Sequence, residues 1–596
     1  MTDHLRHPAR VIGVPVLITA VAIVMYLWTR DRWADPVVDF GRELYLPWQV
    51  SAGRVLYRDL PHYNGPLSQY CNAAVFSLFG ASLRTLQALN LIWIAVLTAA
   101  AYRVFFVIGE RLSVVVAIIL MLTLFVFTQL RSEGSFNFVC PYSHELTHGV
   151  TLAFLCLAVL FKYLETHRLI WLITTGALLG LVALTKVEVL AATAPAILAG
   201  IVIDLWVSRA SLRSALKILI VLFVAAIAPP VVTIAMLSLA MPLDQAFLGV
   251  VGAWQWAFDP GVWGMHFYER LAGTHLPGGS LDRAIACALV YAIVLAPGVL
   301  AGMIVRGGRE ARIVTAIGAT VGVAAMLHVF YQALDWQYAL SGLGLFVAAV
   351  LVSQILHAAH SPRARIDARQ IMRIVVCAFS LLLLAKVALN VTISGYGFAL
   401  AMPATMLAAT AMVSWIPQWV ARGRGDPLAP RATALLVLGV ALLYHLRAYQ
   451  RSFPLRPVRV GEGPNVTWCD LNGLSFNEML GILRSQAPAG ATLAVLPEGA
   501  MINFLTQRIN PTGFVSLKPT DVAMFGSDRI LRAFQTNPPD YIVTIPSNTE
   551  MYGVKSFASD YGRVIWRWIA RNYEPIANTT TQKDSHWTLY RHVTER

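Results

Sequence analysis

Apolar residues run in long unbroken stretches through the first three quarters of the chain, with neither the alternation of a half-buried strand nor the narrow stripe of a soluble helix. The first stretch, Val11 to Trp28, follows Arg6 and Arg10 and has no small-residue cleavage site behind it. It reads as an uncleaved membrane helix. Further stretches of spanning length lie near 85–108, 113–130, 146–163, 168–185, 187–207 and 215–240, then near 284–304, 312–330, 338–357, 372–391, 400–420 and 432–447. The pattern predicts about thirteen spans. Two intervening segments, 29–84 and 241–283, are too long to be connectors. The second is rich in glycine and aromatic residues (Trp254, Trp256, Phe258, Trp263, Phe267, Tyr268), which suits short helices at headgroup depth.

Beyond Pro454 the pattern changes. β-rich runs at Thr492–Leu496, Tyr541–Ile545 and Trp587–His592 are interleaved with helical patterns at Ala500–Gln507, Asp528–Gln535 and Tyr561–Asn572. This predicts a transmembrane domain over 1–453 and an α/β domain with a largely parallel sheet over 454–596. The second domain has no G-x-G-x-x-G and no P-loop. No duplication of halves is visible, which weighs against transporters built from inverted repeats.

Composition fixes the class. The 596 residues are 57% hydrophobic and 13% charged, with a mean hydropathy of +0.62, where a soluble domain carries about 25% charged residues. A cytosolic enzyme, a disordered chain and a disulfide scaffold are excluded; the chain is an α-helical polytopic membrane protein. The net charge of +14 does not indicate nucleic acid, because the basic residues lie in short loops. Arg209, Arg213 and Lys217, then Arg306, Arg309 and Arg312, then Arg363 to Arg373, then Arg422, Arg424 and Arg431 share one side, whereas the loop Tyr331–Gln337 has none. The positive-inside rule places the N-terminus in the cytoplasm and the C-terminal domain outside. Six cysteines show no C-x-x-C spacing, and any pairing among Cys71, Cys140 and Cys469 stays open.

The first external segment concentrates candidate chemistry. Asp35-Pro36 reads as a helix start, which sets Asp35, Asp39 and Glu43 on one face with Arg42 beside Asp39. Such a face offers a general base to a membrane-embedded substrate; equally, Asp35 is a cap and Asp39–Arg42 a local ion pair. Tyr57, His62, Tyr63 and Asn64 precede the rigid Gly65-Pro66 turn, a setting suited to binding groups.

A loop over 131–145 brings Glu133, His144 and Glu145 near His148. His144-Glu145-Leu-Thr-His148 satisfies a zincin spacing, but no third ligand is in view, and we assign no metal ligands. Lys186 is either a snorkelling partner of Glu188 or a cation for a lipid phosphate; Lys386 is either a second phosphate ligand or a snorkelling lysine. Asp335, Trp336, Gln337, Asn390 and Tyr396 also fall near external helix ends.

A membrane helix, an external Asp39-x-x-Arg42-Glu43-x-Tyr45 segment, Gly53-x-x-x-Tyr57-x-Asp59, Gly65-Pro66-Leu67 and Phe79-Gly80 together resemble the membrane glycosyltransferases of the C superfamily. Within it, the sequence is similar to protein O-mannosyltransferases and to the lipid A aminoarabinose transferase. The resemblance implies inverting transfer of a sugar from a polyprenyl-phosphate donor to a lipid, glycan or protein acceptor at the outer face of a bacterial cytoplasmic membrane. It implies Asp39 as base, with Asp35 a poorer match, and a second acidic residue at Glu133 or Glu145. Arg42, Lys186 and Lys386 are the expected donor-phosphate ligands, with Asp35, Glu43, Tyr57, His62, Tyr63, Asn64, Glu133, His144 and Glu145 as acceptor, sugar or secondary acidic contacts. Some relatives carry a lysine before the proline-rich turn that holds the donor phosphate; this sequence has Asn64-Gly65-Pro66 there, so phosphate contact comes from elsewhere or is weaker. No cofactor is required, and a divalent cation stays open. A lipid-linked-sugar transporter or a non-enzymatic envelope assembly factor is the alternative.

Overall fold

A computed structural model describes residues 8–131, 133–330, 338–393, 395–581 and 586–593. The expected loop at Tyr331–Gln337, with Asp335, Trp336 and Gln337, lies outside the described residues. The chain opens with α1 (Pro8–Thr29), then two short helices, α2 (Phe40–Ser51) and α3 (Leu67–Phe79), then α4 (Leu83–Ile108) and α5 (Arg111–Leu120), which continues as a π-helical turn over Met121–Val126. After a loop come α6 (His144–Thr166), α7 (Leu169–Ala183), α8 (Val187–Val207) and α9 (Leu212–Ser238). Four short helices follow: α10 (Leu243–Val251), α11 (Ala253–Phe258), α12 (Pro260–Trp263) and α13 (His266–Ala272). The helical part ends with α14 (Pro277–Ile304), α15 (Arg309–Phe330), α16 (Leu343–His360), α17 (Ala368–Leu384), α18 (Phe398–Thr410), α19 (Ile416–Arg422) and α20 (Leu428–Ser452).

Among the described residues ten helices are long and apolar enough to cross a membrane. Three shorter apolar helices, Gly13–Thr29, Arg111–Val126 and Leu169–Ala183, lie on the remaining hydropathy runs. Prolines inside α1, α8, α9, α14 and α18 are compatible with this setting, where neighbouring helices take up the freed backbone groups. Enclosure varies widely: 83% of the apolar window in Phe398–Arg422 is buried in protein but only 6% in α9. The first is therefore a central element and the second a lipid-facing one.

The ends of the bundle differ in chemistry. At one end the basic loops meet each other's partners: Arg363 lies over the Trp206 ring at 4.2 Å, Arg312 is 3.3 Å from Asp426, and Arg431 is 2.6 Å from Glu110. At the other end the two long segments form the expected short helices, α2 and α3 in 29–84 and α10 to α13 in 241–283.

The C-terminal part is an α/β unit, with one correction. A two-stranded antiparallel ribbon, β1 (Val458–Val460) and β2 (Thr467–Cys469), is followed by α21 (Asn472–Gln486). Then come β3 (Leu493–Leu496), α22 (Ala500–Thr506), α23 (Pro519–Phe525), α24 (Ser527–Thr536), β4 (Tyr541–Thr544), α25 (Arg563–Asn572), β5 (Tyr573–Asn578) and β6 (Thr588–His592). The sheet order is β3-β4-β6-β5, and only β3 and β4 are parallel. The largely parallel expectation fails because β5 continues directly from α25 and returns as a ribbon with β6. Its polar Tyr-Glu-Pro-Ile-Ala-Asn sequence lacks the apolar run that marks a buried strand. All six cysteines are free thiols.

This unit sits against the first external segment. A Cβ at Gly41 would fall 2.2 Å from the Met501 backbone nitrogen, so glycine there lets α2 and α22 touch backbone to backbone. The Tyr45 hydroxyl accepts from the Asn510 amide at 2.8 Å, and Trp48 meets Phe504 edge-on at 5.8 Å. Two regions far apart in sequence thus form one wall.

Candidate functional site

The site is built around Asp39. The expected helix from Asp35 does not form; α2 begins at Phe40. Asp35 instead anchors a turn, its Oδ1 accepting from the Val37 and Val38 amides at 2.9 and 3.0 Å and its Oδ2 from the Gly134 amide at 2.6 Å. These bonds bend the chain before it can wind, and they remove Asp35 from any face shared with Asp39 and Glu43. Burial pushes the Asp35 carboxyl up to about 6 despite those bonds.

Asp39 itself is the residue before α2, with φ 62° and ψ −52°. Positive φ is costly for a side chain other than glycine, and such conformations cluster where the surroundings over-determine them. Here those surroundings come from three parts of the chain. Lys518 Nζ pairs with Asp39 Oδ1. The Tyr396 hydroxyl donates to Oδ2 at 2.9 Å, and the Asp39 amide donates to Glu498 Oε2 at 3.2 Å. Burial opposes ionisation of Asp39, but the charges of Lys518 and Arg42 outweigh it and hold the carboxyl below the usual range.

Lys518 is itself shared, lying 3.8 Å from Glu498. Burial works against its charge, yet Asp39 and Glu498 hold its pKa well above the ordinary value. The same burial, reinforced by Asp39, pushes the Glu498 carboxyl up to about 7 in spite of Lys518. An ammonium therefore fills the place beside Asp39 from which a divalent cation would be bound. The donor set around Asp39 does not fit a metal.

Asp39 opens on a cavity of about 410 Å³. Four cations (Arg42, Lys186, Lys386 and Lys518) and two carboxylates (Asp39 and Glu188) line it, with Tyr63, Asn64, Tyr142, Tyr396 and Tyr552. The opposite wall carries all six aromatic residues noted in 241–283, together with apolar residues of α8, α17 and α18. Lys386 is 2.9 Å and Lys186 3.6 Å from Glu188 Oε1, and Lys186 lies over the Tyr142 ring at 5.0 Å. The positive charge is in excess, so the cavity favours an anionic group against an apolar, aromatic wall.

Arg42 is fixed rather than free. Its guanidinium donates to the Tyr63 hydroxyl at 3.0 Å, the Tyr142 carbonyl at 3.2 Å and Glu43 Oε1 at 3.3 Å. Glu43 Oε2 in turn accepts from the His144 amide at 3.0 Å and faces His144 Nδ1 at 2.7 Å. The Asn64–Gly65 loop is held by Gly65 and Leu67 amides donating to Thr185 and Leu184 carbonyls at 2.8 and 3.1 Å. A Cβ on Gly65 would lie 2.2 Å from the Leu184 backbone.

Of the residues expected at the site, Asp39, Arg42, Tyr63, Asn64, Lys186 and Lys386 line this cavity together. Others do not. Glu43 and His144 form the buried bracket behind Arg42. Glu145 accepts from Gln69 at 2.8 Å and Ser143 at 2.7 Å and faces His62 at 3.1 Å, sealed from the cavity. Tyr57 ties its hydroxyl to the Asn64 carbonyl at 2.7 Å, and Glu133 is exposed. The zincin spacing places no zinc site: His144 is bonded through both ring nitrogens, to Glu43 and to Asn90 at 3.0 Å, and His148 stacks on Trp93 at 4.3 Å.

Lys518, Glu498 and Tyr552 are site residues that the sequence reading did not assign. Lys518 precedes Pro519 at the start of α23, a visible helix-start signal, but nothing marks its partner 479 residues away.

No protein-family model and no curated protein sequence matches the chain. Among solved structures it is similar to the archaeal oligosaccharyltransferase AglB from Archaeoglobus fulgidus, in complex with an inhibitory peptide and a dolichol-phosphate. That match has 11% identity over 96% of this chain and 73% of that one, with a TM-score of 0.49. The same organism's oligosaccharyltransferase in complex with Zn and sulfate matches at 12% identity, 89% and 68% coverage and a TM-score of 0.48. ArnT from Cupriavidus metallidurans bound to undecaprenyl phosphate matches at 15% identity over 98% of each chain, with a TM-score of 0.38. These neighbours are glycosyltransferases of the C superfamily. At these identities and scores, function rests on the geometry of the site.

Proposed function

We propose that the protein is an inverting membrane glycosyltransferase that moves a sugar from a polyprenyl-phosphate carrier to an acceptor hydroxyl or amide. The observation that carries this reading is an ionised carboxylate, Asp39, opening on a cavity that pairs four cations with an aromatic, membrane-adjacent wall. The prenyl tail would lie against α8, α17 and α18, with its phosphate near Lys186 and Lys386. Those ammonium groups, with Arg42, stabilise the charge that gathers on the departing phosphate. Asp39 takes the acceptor proton as the nucleophile attacks the anomeric carbon from the face opposite the phosphate. An activated phosphate leaving group needs no second carboxyl as acid, unlike a glycosidase. The C-terminal unit contributes Lys518 and Glu498 directly to this centre.

Charged groups gather at the two ends of the bundle and not at its middle, which favours a transferase over a transporter. The basic loops at the end opposite the site support placing that end in the cytoplasm and the site at the outer face. The test is purified protein in liposomes with labelled polyprenyl-phosphate sugars and a crude membrane extract, reading free polyprenyl phosphate. Wild type is expected to release carrier and Asp39→Asn at least about a hundredfold less; equal release by both removes Asp39 as base. No release by wild type over a broad donor panel overturns the reading.

A further inference from the structure

The aromatic wall of the cavity carries a second cluster that the proposed transfer does not use. His266 opens α13, Glu269 follows one turn later, and His275 lies just beyond Gly273, whose φ of +78° reverses the chain at the end of that helix. One ligand atom from each of the three lies within 4.8 Å of the other two. The two imidazoles meet edge to face with ring centroids 4.2 Å apart. Among the described residues, none of the three side chains has a hydrogen bond or ion pair. Two half-buried ligands and one exposed ligand thus converge with their donor atoms unspent.

We propose that His266, Glu269 and His275 bind a divalent transition metal of the zinc class. Two imidazoles and one carboxylate favour zinc over magnesium or calcium, which prefer all-oxygen shells. Ligand atoms on a tetrahedral zinc lie about 3.3 Å apart, so closing the site takes rotamer changes of about 1 Å. Three protein ligands leave the fourth position to water.

The metal would act on the cavity wall. Phe267, between the first two ligands, stacks on Tyr552 at 4.9 Å and meets Tyr396 edge-on at 5.2 Å. Tyr396 is the hydroxyl donor to Asp39. His266 also abuts Gly553 of the C-terminal unit, where an added Cβ would come within 3.3 Å of its own Cβ. Joining α13 to its following turn fixes Phe267 and Tyr268 against both. This effect on the cavity rests on the proposed function; the binding of metal does not.

The experiment uses the full-length protein in detergent, affinity tag removed and stripped with chelator. Zinc binding is read by calorimetry and by metal content after dialysis, with Mg2+ as the competing ion. Wild type and His360→Ala, whose exposed histidine lies elsewhere, are expected to hold one zinc per chain that millimolar Mg2+ does not displace. His275→Ala and Glu269→Gln are expected to bind at least about tenfold more weakly. Chymotryptic cleavage after Phe267 and Tyr268 is expected to slow with zinc in wild type and not in His275→Ala. No stoichiometric zinc in wild type, equal affinity in His275→Ala and Glu269→Gln, or displacement by Mg2+ overturns the site. Zinc binding with unchanged cleavage overturns its action on the wall. Neither readout depends on transferase activity.

Discussion

Asp39 and Glu145 are both buried carboxylates supplied by the two external loops that follow the first and third apolar runs, yet their surroundings differ. Glu145 is closed in by Gln69 of α3 and by His62 and Ser143 from buried loops. Asp39 has an ammonium from a distant part of the chain on one oxygen, a phenol on the other, and a cavity in front. The first arrangement joins helices; the second keeps a charge available to a ligand. A carboxylate in an external loop is therefore common to both roles, and access with compensating charge separates them.

The comparison is most easily broken by exchanging the two carboxylates for their amides. Asp39→Asn is expected to lower carrier release per folded molecule by about 10²- to 10⁴-fold, the usual contribution of a general base, and to lower the thermal midpoint through the broken Lys518 pair. Glu145→Gln is expected to lower the midpoint alone. The amide replaces one of the two acceptor oxygens by a donor and leaves a buried donor unpaired at a cost of about 1–3 kcal/mol, while turnover per folded molecule stays within a few-fold. Loss of turnover in Glu145→Gln with an unchanged midpoint would exchange the two assignments.

Lys518 sharpens it next. With Lys518→Met, Asp39 loses the main charge that depresses its pKa, so the acid limb of the pH–rate profile is expected to move up by about 1–2 units. Lys518→Arg should restore most of the wild-type profile. The stability effect has a definite sign. A depressed carboxylate contributes stability above its unfolded pKa and loses it as pH falls through the folded value. The midpoint advantage of wild type over Lys518→Met should therefore shrink on acidification from pH 7 to below pH 4. An advantage that grows on acidification would show that the ion pair is not what Lys518 provides.

Why Lys518 was out of reach while Asp39 was not is a matter of distance along the chain. Hydropathy alone exposes the helical runs, because each must bury a continuous apolar surface in protein or turn it to lipid. Asp39 stands out because it follows a span within an Asp-x-x-Arg segment, and the six aromatics of 241–283 stand out as an interfacial cluster. The bend at Asp35 was hidden because its local bonds to the Val37 and Val38 amides are completed by the Gly134 amide, about a hundred residues away. The mixed sheet was hidden because β5 is polar. Lys518 and Glu498 become site residues only through the contact of α2 with α22, which a spacing rule does not encode.

Lys186, at the cap position of α8, and Lys386, just beyond α17, test the ligand side of the comparison. Lys186→Ala and Lys386→Ala are each expected to raise the donor KM by about tenfold, the scale of one lost charge-assisted contact, with kcat changed less. Glu188, which both lysines face, competes with the phosphate for them; Glu188→Gln should lower the donor KM by a few-fold. Initial rates across donor concentration separate these outcomes. An unchanged KM in both lysine variants would leave them as snorkelling side chains paired to Glu188.

The smallest expected effect concerns Glu498, the carboxylate that shares Lys518 with Asp39. Burial and the neighbouring Asp39 raise its pKa to about 7, so the folded protein keeps a proton that the unfolded chain releases near the ordinary carboxylate value. An elevated acid of this kind lowers stability as pH rises from about 4.5 to 7, because the unfolded state binds fewer protons over that window. Glu498→Gln removes the group that must ionise, so its midpoint relative to wild type should rise between pH 5 and pH 8, by the equivalent of about 1–2 kcal/mol. Thermal unfolding at the two pH values in the same detergent gives the difference. A relative midpoint that falls over that interval would mean that Glu498 is ionised in the folded state throughout. The Lys518 ammonium would then belong equally to both carboxylates, and Asp39 would lose the distinction that separates it from Glu145.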